Sequence, residues 1–331
     1  YTSAYSLQFV GALRKHDENS LIELKSNSNN DFYIYTDFAG LDLDIQFNLN
    51  DLSVPFTSFN TRNSFIAKYN NAGVYDNNFL IASSYDDKRA LSLAVKSDGT
   101  PVVSGNVLYP AYQSQEIDLS PSPGGEIDNK DPYLVNYTST LNGHEWIVPL
   151  ESVTRLGAQS SLDISVSATD DSNNFYISGR INGDYDTTTT IGYPYVNFLF
   201  ESMVSSLYGY VKYDDNGSLL HNVGIHVQDI NTGDNSSMTI ESMEVDSAEN
   251  VYLVGTYSGR LHWAPLYNFP SLYNSVDWTY NSLFILKYDA SGNPVSAISL
   301  EGGSDSSNIT CRDIAVSNSG EIYITGSFDG Q

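Results

Sequence analysis

The sequence is poor in cysteine, in positive charge and in long apolar runs. Cys311 is the single cysteine in 331 residues. No disulfide therefore forms within the chain, and no pair of thiolates holds zinc. Such usage fits the cytosol and equally fits bacterial surface proteins that fold without disulfides. Lys and Arg number 15 against 40 Asp and Glu, a formal charge of −25. Phosphate recognition needs cations, so nucleic acid and anionic lipid are not expected partners. No run approaches 18 apolar residues, so no membrane insertion is expected. The chain opens at Tyr1 without a Met or an apolar leader, as a processed product or an excerpt would.

Catalytic signatures are scarce as well. The five histidines, His16, His144, His221, His226 and His262, form no H-E-x-x-H or other ligand spacing. No G-x-S-x-G, P-loop or dinucleotide fingerprint occurs. Cys311 has no basic cluster beside it and reads as a small buried hydrophobe.

What is present is aromatic and repetitive. Aromatic residues make up 13%, with 25 Tyr, a composition that folds. One unit recurs, an apolar strand, a polar turn and then Tyr-Ile-x-Gly: "CRDIAVSNSGEIYITGSFDG" (311–330), "IESMEVDSAENVYLVGTYSG" (240–259) and "LDISVSATDDSNNFYISGRING" (162–183). Alignment puts Thr36, Gly105, Gly179, Gly255 and Gly326 in one column, spaced by 69, 74, 76 and 71 residues. A second half-unit recurs around "LFILKYDASGNPVSAISL" (283–300), with Tyr69, Tyr137, Tyr213 and Tyr288 in register. Gly73, Gly217 and Gly292 follow at a fixed offset, and two extra residues precede Gly143 in the second copy. Glycine there suits a tight hairpin turn with φ > 0.

Each unit thus holds four strands, a to d, with both faces of strand c largely apolar. That suits sheets packed on both sides. The predicted fold is all-β: a β-propeller of four-stranded antiparallel blades, about five of them in one domain over 1–331, or part of a larger ring or array.

The pattern Tyr323, Gly326, Phe328, Gly330, then Phe284, Lys287, Tyr288, Asp289, Gly292, Asn293, then Gly302 and Gly303 resembles the bacterial SBBP repeats of β-propeller proteins. The segment 116–137 is similar to that family's Asp-rich b–c connection. Thr36 and Asn136 depart from the strand-b glycine and the strand-c lysine. The resemblance implies an extracellular or cell-surface repeat protein. The family name implies seven blades, more than this length supplies.

"AYSLQFVGA" (4–12) reads as a lone strand d, and the chain closes on a strand b. A five-bladed ring whose last blade pairs with that strand d accounts for both. The b–c connections 41–62, 106–131, 184–206 and 260–281 are long and rich in Tyr, Trp and Pro, where recognition usually sits. Their candidate contact residues are Tyr109, Tyr112, Tyr193, Tyr195, Trp263, Tyr267, Tyr273 and Trp278. Local packing against the blades is the competing account of these aromatics.

Several charged or polar groups have a functional and a structural reading side by side. Asp42 with Asp44, and Asp214 with Asp215, are weak Ca²⁺ candidates, although turn chemistry explains the second pair. No other metal and no cofactor is expected. Lys68, Lys212 and Lys287 share one strand-c column, which suggests a recurring ion pair; the alternative is an edge lysine. Asn136, Asn216, Asn235 and Asn308 open N-x-S/T sequons, relevant only in a glycosylating secretory route. A glycan on Asn136 would need its column to face solvent. Asp163, Glu241 and Asp313 lie near the starts of successive strands a, and carboxylates so placed are used by five-bladed glycoside hydrolases. The expectation is a non-enzymatic, acidic surface module that contacts protein subunits or surface glycans, with homo-oligomer or filament assembly open to it. The alternative is a carbohydrate-active enzyme with an axial carboxylate site.

Overall fold

The computed structural model describes residues 22–39, 43–45, 54–56, 62–81, 88–107, 116–118, 126–128, 133–150, 152–154, 161–182, 188–191, 196–199, 206–227, 237–258, 260–261, 272–273, 281–301, 308–317 and 319–328. All elements among them are strands. The first repeat comprises β1 (Ile22–Ser26), β2 (Phe32–Ala39), a short hairpin of β3 (Leu43–Ile45) and β4 (Val54–Phe56), then β5 (Arg62–Tyr69) and β6 (Tyr75–Ile81). The second has β7 (Lys88–Val95), β8 (Pro101–Val107), hairpin β9 (Glu116–Asp118) and β10 (Glu126–Asp128), then β11 (Tyr133–Tyr137) and β12 (His144–Pro149). After β13 (Ser152–Thr154), the third has β14 (Ser161–Thr169), β15 (Phe175–Asn182), hairpin β16 (Thr188–Ile191) and β17 (Val196–Leu199), then β18 (Ser206–Tyr213) and β19 (Leu219–Val227). The fourth has β20 (Ser237–Val245), β21 (Val251–Ser258), hairpin β22 (Arg260–Leu261) and β23 (Leu272–Tyr273), then β24 (Ser282–Tyr288) and β25 (Pro294–Leu300). The fifth shows β26 (Ile309–Val316) and β27 (Ile322–Phe328).

Four sheets are four-stranded and antiparallel in the order a-b-c-d, and β26–β27 form a two-stranded fifth. The expected strand order and blade-like sheets are therefore present. The chain groups into two compact units, residues 1–147 and 148–331. The segment 4–12 and both chain ends lie outside the described residues.

Successive sheets pack face to face within each unit. In the first unit Tyr33, Tyr35 and Ile66 meet Leu93, Val103, Tyr133 and Val135 in one apolar core. In the second, Tyr176, Tyr210, Val223 and Ile225 meet Met243, Leu253 and Leu286. The other face of the fourth sheet, with Tyr252, Val254, Leu283 and Ile285, covers Cys311 and Ile314 of β26. Both faces of β21 and β24 are thus apolar because both are buried.

The glycine column has one backbone setting. Strand a carries an extra residue opposite it in four repeats: the register slips between Ala90 and Ser92, Ile164 and Val166, Ile240 and Ser242, and Cys311 and Asp313. The residues paired across each slip are Gly105, Gly179, Gly255 and Gly326. At Gly105 the Tyr133 ring fills the space a side chain would take. A Cβ on Gly255 would overlap the Thr239 carbonyl oxygen, and one on Gly326 would overlap that of Thr310. Where Thr36 replaces the glycine, β1 pairs with β2 in unbroken register from Ile22 to Ser26.

The turns follow one rule with one correction. Among the described residues, each a–b and c–d turn holds a single residue at positive φ. These are Asn30, Gly99, Asn173, Glu249 and Gly320 between a and b, and Gly73, Leu141, Gly217 and Gly292 between c and d. In the second repeat the expected glycine, Gly143, does not take this role. Leu141 at φ 56 does, at the same offset after Tyr137 as Gly73 after Tyr69. Its side chain is 1% exposed among Tyr137 and its neighbours, and that burial offsets the cost of a left-handed backbone.

Candidate functional site

The two ends of the sheets differ in chemistry. At one end lie the a–b and c–d turns, whose polar side chains are consumed locally. Asp214 Oδ1 accepts the backbone N–H groups of Asn216 at 2.9 Å and Ser218 at 2.7 Å. Asp289 Oδ1 accepts those of Ser291 and Asn293, and Asn70 does the same for Ala72 and Val74. In the a–b turns Asp170 and Asp246 each accept two backbone N–H groups, an asparagine amide and a tyrosine hydroxyl. Those bonds hold the Asp246 carboxyl below the usual range against an opposing burial effect. The carboxylate of Asp214, one of the weak Ca²⁺ candidates, is therefore a turn-forming group. Among the described residues no set of three acidic, His or Cys side chains is placed to hold a metal.

The strand-c lysine column lies next to these turns. A tyrosine ring is its partner at all three positions. Lys68 lies over Tyr33 at 5.9 Å, Lys212 over Tyr176 at 5.0 Å and Lys287 over Tyr252 at 4.9 Å. Each pair is cross-strand in register, which brings the ammonium over the ring. Ion pairs are added at two of the three. Lys212 Nζ is 2.6 Å from Glu249 Oε2 and 3.5 Å from Asp170 Oδ2. It thereby ties the third sheet to the turn of the fourth. Lys68 pairs with Asp76 of its own sheet at 3.2 Å. The expected ion pair between or along blades is thus found at two of the three, between sheets at Lys212 and within one sheet at Lys68.

His221 on β19 lies beside this network. Its ring is edge-on to Tyr210 at 5.8 Å, and its Nε2 is buried without a hydrogen-bond partner. Gly292 of the fourth sheet packs against it, at a point where a Cβ would press on Val223 and the His221 ring. Burial first, then the charge of Lys212, holds the His221 pKa below its ordinary value, with Asp289 and Glu249 opposing.

At the opposite end the b–c connections emerge. Each expected loop folds instead around a two-stranded hairpin: β3–β4, β9–β10, β16–β17 and β22–β23. β13 adds a third strand to β16. Hydrogen bonds join the a–b turns of neighbouring sheets, Ser28 to Ser97 and Ser172 to Glu249. Sheets within a unit therefore point the same way, and their hairpins project from one end. Tyr273 lies in β23. Tyr109, Tyr112, Tyr193, Tyr195, Trp263, Tyr267 and Trp278 fall outside the described residues. So do Asp42 and Asn235, while Asp44 lies in β3. The register of the second hairpin places Glu126 opposite Asp118 and Asp128 opposite Glu116.

Two of the three proposed carboxylates, Glu241 and Asp313, have described side chains on strands a. Glu241 is the extra residue of the β20 bulge. Burial holds its carboxyl above the ordinary range, with Arg312 opposing. Asp313 on β26 accepts the Ser242 hydroxyl at 2.8 Å and its neighbouring Ile314 N–H at 2.9 Å. The Asp163 side chain lies outside the described residues. Of the sequons, Asn136 is fully buried and its amide donates to Glu145 Oε2 at 2.6 Å. A folded chain has no room for a glycan there. Asn216 is exposed in its turn, and Asn308 Oδ1 accepts the Asn281 N–H at 3.1 Å.

Compared with known proteins, the chain matches no family model and no curated protein.

Proposed function

We propose that the chain is a non-enzymatic recognition or structural module of SBBP-like β-propeller repeats, working outside the cell or on its surface. One observation carries this reading: the hairpins emerge at one end of the sheets in each unit, while Asp170, Asp214, Asp246, Asp289, Lys68 and Lys212 at the other end are engaged in turns and sheet contacts. A rigid stack that presents projecting hairpins suits contact with protein subunits or surface glycans, with aromatic side chains as anchors. The −25 charge gives cations a screening role in any assembly of copies. The test replaces residues 260–279 by Asn-Gly. Circular dichroism should keep its β signature and the melting temperature should fall, because buried Leu272 leaves the core with the hairpin, while binding on a glycan array or self-association in the ultracentrifuge is lost. Unchanged binding and association would overturn the reading.

A second reading, a carbohydrate-active enzyme, rests on Glu241, the extra residue of the β20 bulge, whose carboxyl burial holds above the ordinary range. Hydrolysis of an oligosaccharide panel that disappears in Glu241→Gln would establish it. Intact oligosaccharides throughout would dismiss it.

A further inference from the structure

The third and fourth sheets meet at their turn end through a small set of groups. Lys212 of β18 reaches Glu249 Oε2, in the a–b turn of the fourth sheet, at 2.6 Å. The Ser172 hydroxyl, in the a–b turn of the third, donates to Glu249 Oε1 at 3.4 Å. Glu249 holds a left-handed backbone at φ 61, where the other described a–b turns place Asn or Gly. A long side chain is disfavoured there, so its contacts to the third sheet hold a strained turn. His221 of β19 packs against Gly292 in the c–d turn of the fourth sheet. Its place recurs. His221 lies opposite Lys212, as Asn77 lies opposite Lys68 and Ser296 opposite Lys287. In the first repeat Asn77 Nδ2 donates to the Thr140 carbonyl, in the c–d turn of the next sheet, at 2.6 Å. That joint carries no titratable group. In the third repeat an imidazole fills the place, with Nε2 buried and without a hydrogen-bond partner.

We propose that His221 is a pH-sensitive latch between the third and fourth sheets, closed while its ring is neutral and opened at the c–d turn of the fourth sheet when the ring is protonated. A proton on Nε2 creates a buried donor without an acceptor. It also sets a second cation beside the Lys212 ammonium. The carboxylates that face the ring give little relief. Glu249 is engaged by Lys212 and Ser172, and Asp170 lies 3.5 Å from Lys212 Nζ. Asp289 is engaged by its own turn: Oδ1 accepts the N–H groups of Ser291 and Asn293, and Oδ2 accepts the Asn293 amide at 3.0 Å. Tyr210 lies edge-on to the ring. The strain at Glu249 favours parting of the same joint. The folded site prefers the neutral ring, so the latch is closed above the ordinary histidine value of 6.5 and opens as the pH falls below it. The device does not depend on the function proposed above.

The test is hydrogen exchange of the whole chain at pH 7.5 and 5.5, expressed as protection relative to an unstructured peptide. The Gly292 amide bonds the Asp289 carbonyl, and the Leu141 amide bonds that of Thr138 in the matching turn of the second sheet. Protection of Gly292 should fall several-fold at the lower pH, while that of Leu141, behind Asn77, stays constant. His221→Asn installs the residue of the first repeat and should keep Gly292 equally protected at both pH values. The His221 ring of the unaltered chain, followed by NMR, should titrate below 6.5, a readout that needs no variant to fold. Protection of Gly292 that is unchanged or rises on acidification would overturn the proposal. So would an equal fall at Leu141, an equal fall in His221→Asn, or a ring that titrates at or above 6.5.

Discussion

At the scale of single residues, burial and partner geometry decide which charges matter. Lys212 has a side chain 5% exposed between Asp170 at 1% and Glu249 at 35%. Lys212→Met should cost about 3 kcal/mol in urea unfolding, because Asp170 is left buried without its cation. Lys68→Met should cost less than about 1 kcal/mol, since Asp76 is half exposed. Glycines separate in the same manner. Gly255→Ala should cost more than about 2 kcal/mol, because the new methyl overlaps the Thr239 carbonyl. Gly320→Ala meets open space and loses only what a left-handed backbone at φ 82 costs, about 1 kcal/mol. His221 makes stability depend on pH. Its folded pKa lies below the ordinary 6.5, so the fold favours the neutral ring. That stability is complete above pH 6.5 and declines as the pH falls through it. Lys212, Asp289 and Glu249 are the charges that face it. Stability of His221→Phe, measured by urea titration between pH 7.5 and 5, should vary less than that of the parent. An unchanged slope would show that another group governs this range.

At the scale of elements, the repeat is legible in the sequence and several of its causes are not. The strand order, the turns and the glycine column can all be read from spacing. The bulge that requires the glycine cannot, because the sequence shows the small residue and not the carbonyl that displaces its side chain. Leu141 is hidden because Gly143 nearby satisfies the usual turn preference. Burial against Tyr137 and Tyr133 outweighs that preference, and burial is a property of the neighbouring strands. The hairpins escape detection because strands of two to four residues carry no period. Cys311 reads as buried, and it lies under the fourth sheet at 2% exposure, with burial pushing its thiol up to about 11. A thiol reagent should therefore label it only when β26 separates from the fourth sheet. The labelling rate should rise in Ile285→Ala, which thins that contact, and stay constant in an exposed-site control such as Asn216→Ala.

At the scale of the whole molecule, charge and packing pull against each other. A net −25 repels itself. The melting temperature should rise from 10 to 500 mM NaCl, and equally in choline chloride, if screening is the cause. A further rise with millimolar CaCl₂ at constant ionic strength would instead reveal a specific calcium site. By itself the sequence determined an all-β chain of repeated a-b-c-d sheets, because period-2 apolar strands and left-handed turn residues are local properties that recur in register. Only the tertiary structure decided which polar groups are free to act. It turned Asp214 into a turn-former, buried Asn136 and paired Lys212 with the next sheet. Each of these depends on what a neighbouring strand or sheet places opposite, and that is not written in the residue's own segment.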